Sequence, residues 1–135
     1  MEISFDKKLK KINMIKWIPW IGDNYKNSKT KLLVLGESHY KWEGKGAWTM
    51  LNSIQFEKNY VIEHYIKVKE GNENKISVLD NLLRALYNKK DISSREKYLF
   101  AQNISYCTII QRALKNIKER PNKEDFLEGW KIVPK

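Results

Sequence analysis

Little in this chain can cross-link, span a bilayer or hold a known cofactor. It has a single cysteine among 135 residues, Cys107, so no disulfide can close within it. Cys107 lies in an apolar run, where a thiol packs as a small hydrophobic group, so a buried free thiol and a cytoplasmic setting are expected. No stretch of eighteen apolar residues occurs, so neither a membrane span nor a membrane partner is expected. The start, MEISFDKKLKK, is charged and lacks the apolar stretch of a signal peptide, so secretion is not expected. With two histidines and no carboxylate cluster at ligand spacing, a structural zinc site is not expected. A hard cation held by Glu37 with another carboxylate stays open. Phosphate loops of GxxxxGK type and GxGxxG fingerprints are absent, and the pair Gly44 and Gly46 is too generic to replace them, so nothing supports a kinase or dehydrogenase. No cofactor and no resident metal are expected. There is no internal repeat or long linker, and the length suits one domain over residues 1–135.

What is present is charge and aromatic surface. Lys and Arg number 26 against 16 Asp and Glu, a formal charge of +10. Such an excess attracts polyanions, DNA among them, or simply keeps a lysine-rich chain in solution. Five Trp and seven Tyr can stack on bases or fill a core.

The most informative segment is KLLVLGESHY, residues 31–40. Residues 32–35 are continuously apolar and read as an interior strand. Gly36 would permit a backbone direction that other residues resist. Glu37, Ser38 and His39 then stand where the carboxyl edge of a parallel sheet collects reactive groups. Glu37 can orient water or act as a base, and His39 can donate a proton, stabilise an oxyanion or bind a metal. Both can equally make structural hydrogen bonds. Ser38 as a nucleophile would need a base other than adjacent His39, because neighbours along an extended chain point apart.

A second strand is expected over 104–110, ISYCTII, with Gln111 and Arg112 at its exit and Asn103 at its opposite end. If the two strands are parallel neighbours, Gln111 and Arg112 approach the crevice of Glu37, and Arg112 suits a phosphate; the same residues also fit a plain polar surface. Helices are expected over 52–69, capped by Thr49 or Asn52 and ended by Gly71, and over 76–86 on a stripe of Ile76, Leu79, Leu82, Leu83 and Leu86. Further helices are expected from a Ser94 cap to Phe100 and after an Asn122 cap, while 113–118 is a loop or helical turn. Before the first strand, Ile12, Ile15 and Ile18 lead into an apolar knot of Trp17, Pro19, Trp20 and Ile21 closed by Gly22. His64, between Tyr60 and Tyr65, reads as a surface residue. Two strands with several helices make a thin sheet, so further strands, a partner chain or a second copy are needed to complete it.

In order, WIPWIGDNY (17–25), KLLVLGESHY (31–40), NISYCTIIQR (103–112) and ERPNKEDFLEGW (119–130) resemble the uracil-DNA glycosylase superfamily, and more closely a divergent branch of it. The resemblance implies a three-layer α/β/α fold with a short parallel sheet. It also implies binding to DNA and hydrolysis of the N-glycosidic bond of a base. Gly36 and Glu37 look like the glycine-led motif of the iron–sulfur-bearing members, with Glu37 positioning the water. Gly36, Ser38, Tyr40, Asn103, Gln111 and Arg112 would then contact substrate or nucleic acid, and His39 would help form the base pocket. The sequence departs from the pattern where Ser38, His39 and Tyr40 replace the usual proline and glycine, and the cysteines of an iron–sulfur cluster are absent. The family's later strands and its histidine-bearing loop would lie beyond Lys135, so a C-terminally truncated domain is expected. Two alternatives accompany this reading. One is a non-catalytic glycosylase-like domain that binds nucleic acid or protein. The other is a small hydrolase using Glu37 and His39, since GE with a nearby histidine is also similar, more faintly, to erythromycin-esterase-like and haem-associated hydrolases.

Overall fold

All five residues of ISYCT are buried, and this run is the middle strand of the sheet. The computed structural model describes residues 1–41, 47–63 and 77–132. In it β4 (Ile104–Thr108) lies between β1 (Trp20–Ile21), which is antiparallel to it, and β2 (Leu32–Gly36), which is parallel. The order β1–β4–β2 places β2 at the edge among the described residues, with Leu33 40% exposed. The expectation of an interior strand for 32–35 is thus corrected: among the described residues its apolar run is paired along one edge. Helices flank this small mixed sheet, giving a mixed α/β domain.

Register decides which side chains share a face. Trp20, Tyr106 and Val34 are cross-strand neighbours and join one core cluster with Val61, Leu79, Leu83, Phe100 and Ala101 from the helices. Burying an aliphatic side chain such as Leu79 or Leu83 contributes about 2 kcal/mol. The opposite face carries Ile21, Ser105 and Leu33 in register. It borders a cavity of about 170 Å³ lined also by Ile12, Ile15, Cys107 and Ile132. Cys107 is buried as expected, and burial first, then the Glu57 carboxylate, pushes its thiol up to about 12. Trp17 and Trp20 are core residues, their indole N–H groups donating to the carbonyls of Leu51 and Ala101 at 2.8 Å each.

Several expected elements are redrawn. Of the helix expected over 52–69, residues 56–61 form α3 (Phe56–Val61), a separate α2 (Ala47–Asn52) ends where that helix is expected to start, and residues 64–69 lie outside the described residues. The break has two causes: the Ile54 carbonyl accepts from the Ile18 N–H at 2.8 Å, and the Ser53 hydroxyl takes the Gln55 N–H at 3.2 Å. Thr49 falls inside α2 and Asn52 ends it, so neither is an N-cap. His64, Gly71 and Ile76, with Gly44 and Gly46, lie outside the described residues. In α4 (Ser77–Tyr87) Leu79 and Leu83 are fully buried whereas Leu86 is 55% exposed, so the packed stripe is shorter than its spacing predicts. Helix α5 (Ser94–Asn103) is capped by Ser93 rather than Ser94, in a reciprocal box with Glu96, and runs straight into β4. The expected Asn122 cap starts α6 (Lys123–Trp130), with Asp125 completing its box. At the N-terminus α1 covers only Asp6–Leu9.

The ambiguous stretch 113–118 contains a strand, β5 (Ala113–Leu114), parallel to β3 (His39–Tyr40). With β1, these two-residue strands are the missing pairings that sequence reading passed over. Such short segments carry no alternation to detect. Gly36 also has a different reason from the one expected: its backbone is not left-handed. A Cβ there would meet the Tyr106 hydroxyl at 2.9 Å and the Thr108 methyl at 3.2 Å.

Candidate functional site

Parallel pairing puts Gly36 opposite Thr108, so the carboxyl ends of β2 and β4 share one edge. Backbone contact continues past the strands. The carbonyls of Gly36 and Glu37 accept from the N–H groups of Ile109 and Ile110, each at 2.9 Å, before β3 and β5 pair from His39 to Ala113. Three positions separate Gly36 from His39, while five separate Thr108 from Ala113, so the second segment bulges through residues 109–112. This brings Glu37, Ser38, Gln111 and Arg112 to one edge. Asn103 stands at the other end of β4, where its amide donates to Leu99 O at 2.6 Å and its carbonyl accepts from the Ser28 hydroxyl at 3.2 Å.

Most of these side chains are already engaged. Ser38 Oγ donates to the Arg112 carbonyl at 2.6 Å. Gln111 pins the N-terminal segment to the bulge, accepting at Oε1 from the N–H groups of Lys16 (3.0 Å) and Trp17 (2.7 Å) and donating from Nε2 to Thr108 O at 2.8 Å. Arg112 grips Asp125 with Nε and Nη2, both at 2.6 Å, and Glu119 with Nη1 at 2.8 Å. These pairs, Asp125 first, raise the guanidinium further above its ordinary value. Arg112 in turn lowers the Asp125 carboxyl. Asp125 Oδ2 also accepts from the Asn122 N–H at 3.0 Å, so the cap of α6 and the arginine share one carboxylate. Glu37 is exposed, and Tyr40 is half-buried on β3.

His39 turns inward. It is 8% exposed, with ring centroids of Tyr60, Phe56 and Trp17 at 4.6, 4.7 and 5.5 Å. Its Nε2 lies 3.2 Å from Oε2 of Glu57, which is fully buried. Glu57 Oε1 accepts from the Thr108 N–H at 2.9 Å and the Thr108 hydroxyl at 2.5 Å. A buried carboxylate is tolerated only with such a set of donors. Burial first, and then the Glu57 charge, raises the phenols of Tyr60 and Tyr106. Sequence reading passed over Glu57. Its signal was a carboxylate on the apolar side of a helix, with Tyr60 and Val61 three and four positions on. The adjacent Lys58 is also buried and pairs with Asp6 at 2.5 Å.

A hollow of about 240 Å³ lies beside the bulge, lined by Met14, Ile110, Gln111, Arg112, Asp125 and Glu128 among others. Neither this hollow nor the one under the sheet is lined by Glu37 or His39. Among the described residues no group of three or more His, Cys, Asp or Glu side chains converges to hold a metal ion, and no helix is long and apolar enough to cross a membrane.

Comparison with known proteins adds no relative: no family model, no curated protein and no solved structure matches the chain.

Proposed function

We propose that this chain is a uracil-DNA glycosylase-like domain that binds DNA at the carboxyl edge of β2 and β4, with Glu37 orienting the water that attacks an N-glycosidic bond. The observation that carries this reading is the parallel register of Gly36 with Thr108, which leaves exposed Glu37 beside the Thr108–Arg112 turn. An acid there meets a ligand where open α/β sheets receive one. In this reading the mixed sheet belongs to a three-layer α/β/α fold, the +10 charge attracts the phosphate backbone, and the setting is cytoplasmic. A partner chain or second copy would extend the sheet beside β2, whose outer edge is unpaired among the described residues.

The test measures binding to, and abasic-site formation in, single- and double-stranded DNA carrying uracil or damaged bases. Base release that disappears in Glu37→Gln is the expected result. Absence of binding at moderate salt overturns the proposal. A second reading, nucleic-acid binding without hydrolysis, is favoured by the internal engagement of Ser38, Gln111 and Arg112. Salt-dependent binding without base release selects it. The hydrolase alternative using Glu37 and His39 together receives less support, because Glu37 is exposed while Nε2 of His39 is taken up by the buried Glu57 rather than by Glu37.

A further inference from the structure

Glu57 does more than fill a buried position. Both Thr108 groups that reach it, a backbone N–H and a hydroxyl, converge on Oε1, whereas Oε2 is met by His39. A backbone N–H can only donate, so Oε1 is an acceptor, and with Glu57 ionised Oε2 can only accept as well. His39 must then give Glu57 a proton from Nε2, since a carboxylate has none to offer. In the neutral ring this leaves the lone pair on Nδ1. Among the described residues no group is hydrogen-bonded to that nitrogen, and the ring follows directly on the Gly36–Ser38 turn of the candidate edge.

We propose that Glu57 is a positioning residue that holds His39 as the Nε2–H tautomer and so presents Nδ1 as a hydrogen-bond acceptor for a ligand bearing an N–H donor. Within the glycosylase-like reading, on which this ligand class rests, the donor is the N–H edge of a nucleobase drawn out of its stack. The aromatic rings of Trp17, Phe56 and Tyr60 keep the imidazole from rotating, and the clamp on Thr108 ties its orientation to the end of β4. The protein thereby chooses which nitrogen stays basic.

Replacing Glu57 by glutamine makes a sharp contrast. The amide oxygen must turn to the Thr108 N–H, so the amide NH₂ faces His39. Nε2 would then have to accept, and the ring proton would move to Nδ1. Long-range ¹⁵N–¹H spectra of the full chain carrying His64→Gln, which leaves one imidazole, read this directly. The expected result is a proton on Nε2 in the parent and on Nδ1 with Glu57→Gln. A parent with its proton on Nδ1, or with freely averaging tautomers, overturns the proposal even if the glutamine variant fails to fold.

Access to Nδ1 is read without DNA by diethyl pyrocarbonate, which acylates an unprotonated imidazole nitrogen. Carbethoxylation of His39 in the folded parent, slowed at least fivefold by Glu57→Gln, is expected; complete protection in the parent overturns the proposal. Uracil-containing DNA that binds should shift the Nδ1 resonance, and bound DNA that leaves it unmoved also overturns the proposal. If DNA does not bind, the glycosylase-like reading falls, and with it the nucleobase as ligand, while the tautomer and acylation results still decide the role of Glu57.

Discussion

Replacing Arg112 with methionine separates a phosphate ligand from an internal tie. All three donor nitrogens that face protein are engaged, two in a fork on Asp125 and one on Glu119. The Arg112 side chain is 39% exposed, so solvent screens the pairs, and the fork to Asp125 is worth about 1 kcal/mol rather than the larger value of a buried bridge. Losing it should lower the unfolding midpoint by about 3–5 °C. The sign with pH follows from Asp125, whose carboxyl Arg112 holds below its ordinary value. That stabilisation is complete above the ordinary aspartate pKa and is lost as pH falls through the lowered folded-state value. The gap between parent and variant should therefore narrow below about pH 4. Duplex-DNA binding is measured in parallel by fluorescence anisotropy at about 50–200 mM salt. With the fork intact in the complex, the slope of log K against log salt is unchanged. One lost phosphate contact would make it shallower by about 0.9. A slope reduced by that amount with an unchanged melting temperature would refute the internal role of Arg112.

Two further outcomes test the frame around the site. Glu96 is held at about 2, against an ordinary 4.5, by Lys89 first and then by the backbone and hydroxyl of Ser93. Its support for α5 is present above the ordinary value and drains away as pH falls toward about 2, so the melting difference between parent and Ser93→Ala should shrink over that interval. At Gly129, an added Cβ would lie 2.1 Å from the backbone oxygen of Ile109, which no rotamer change can relieve. Gly129→Ala should cost about 3 kcal/mol in urea unfolding, and a loss under about 0.5 kcal/mol would show that α6 is free to move away from the bulge.

Legibility followed the range of the interaction. The strand expected over 104–110 announced itself through β-branched and aromatic residues, although it ends at Thr108, and the Asn122 cap through the acid three positions later. Leu79 and Leu83 stood out by helical spacing. Each signal lies within a few residues of the structure it specifies. The division between α2 and α3 was not legible, because the carbonyl of Ile54 answers to Ile18, far back in the chain. Strands β1, β3 and β5 have two residues each, and only their partners make them strands.

The candidate site divides along the same line. Composition and local order in the chain were enough to mark Gly36, Glu37 and His39 at the end of an apolar strand, and to place Gln111 and Arg112 at the exit of another. Tertiary structure alone decided that the two strands are parallel neighbours, that Asp125 and Glu119 occupy Arg112, and that His39 faces a buried Glu57 while Glu37 faces solvent. The physical reason is that propensity and periodicity act between near neighbours along the chain. A carboxylate's partner is instead set by which donors the packed core leaves within about 3 Å of it.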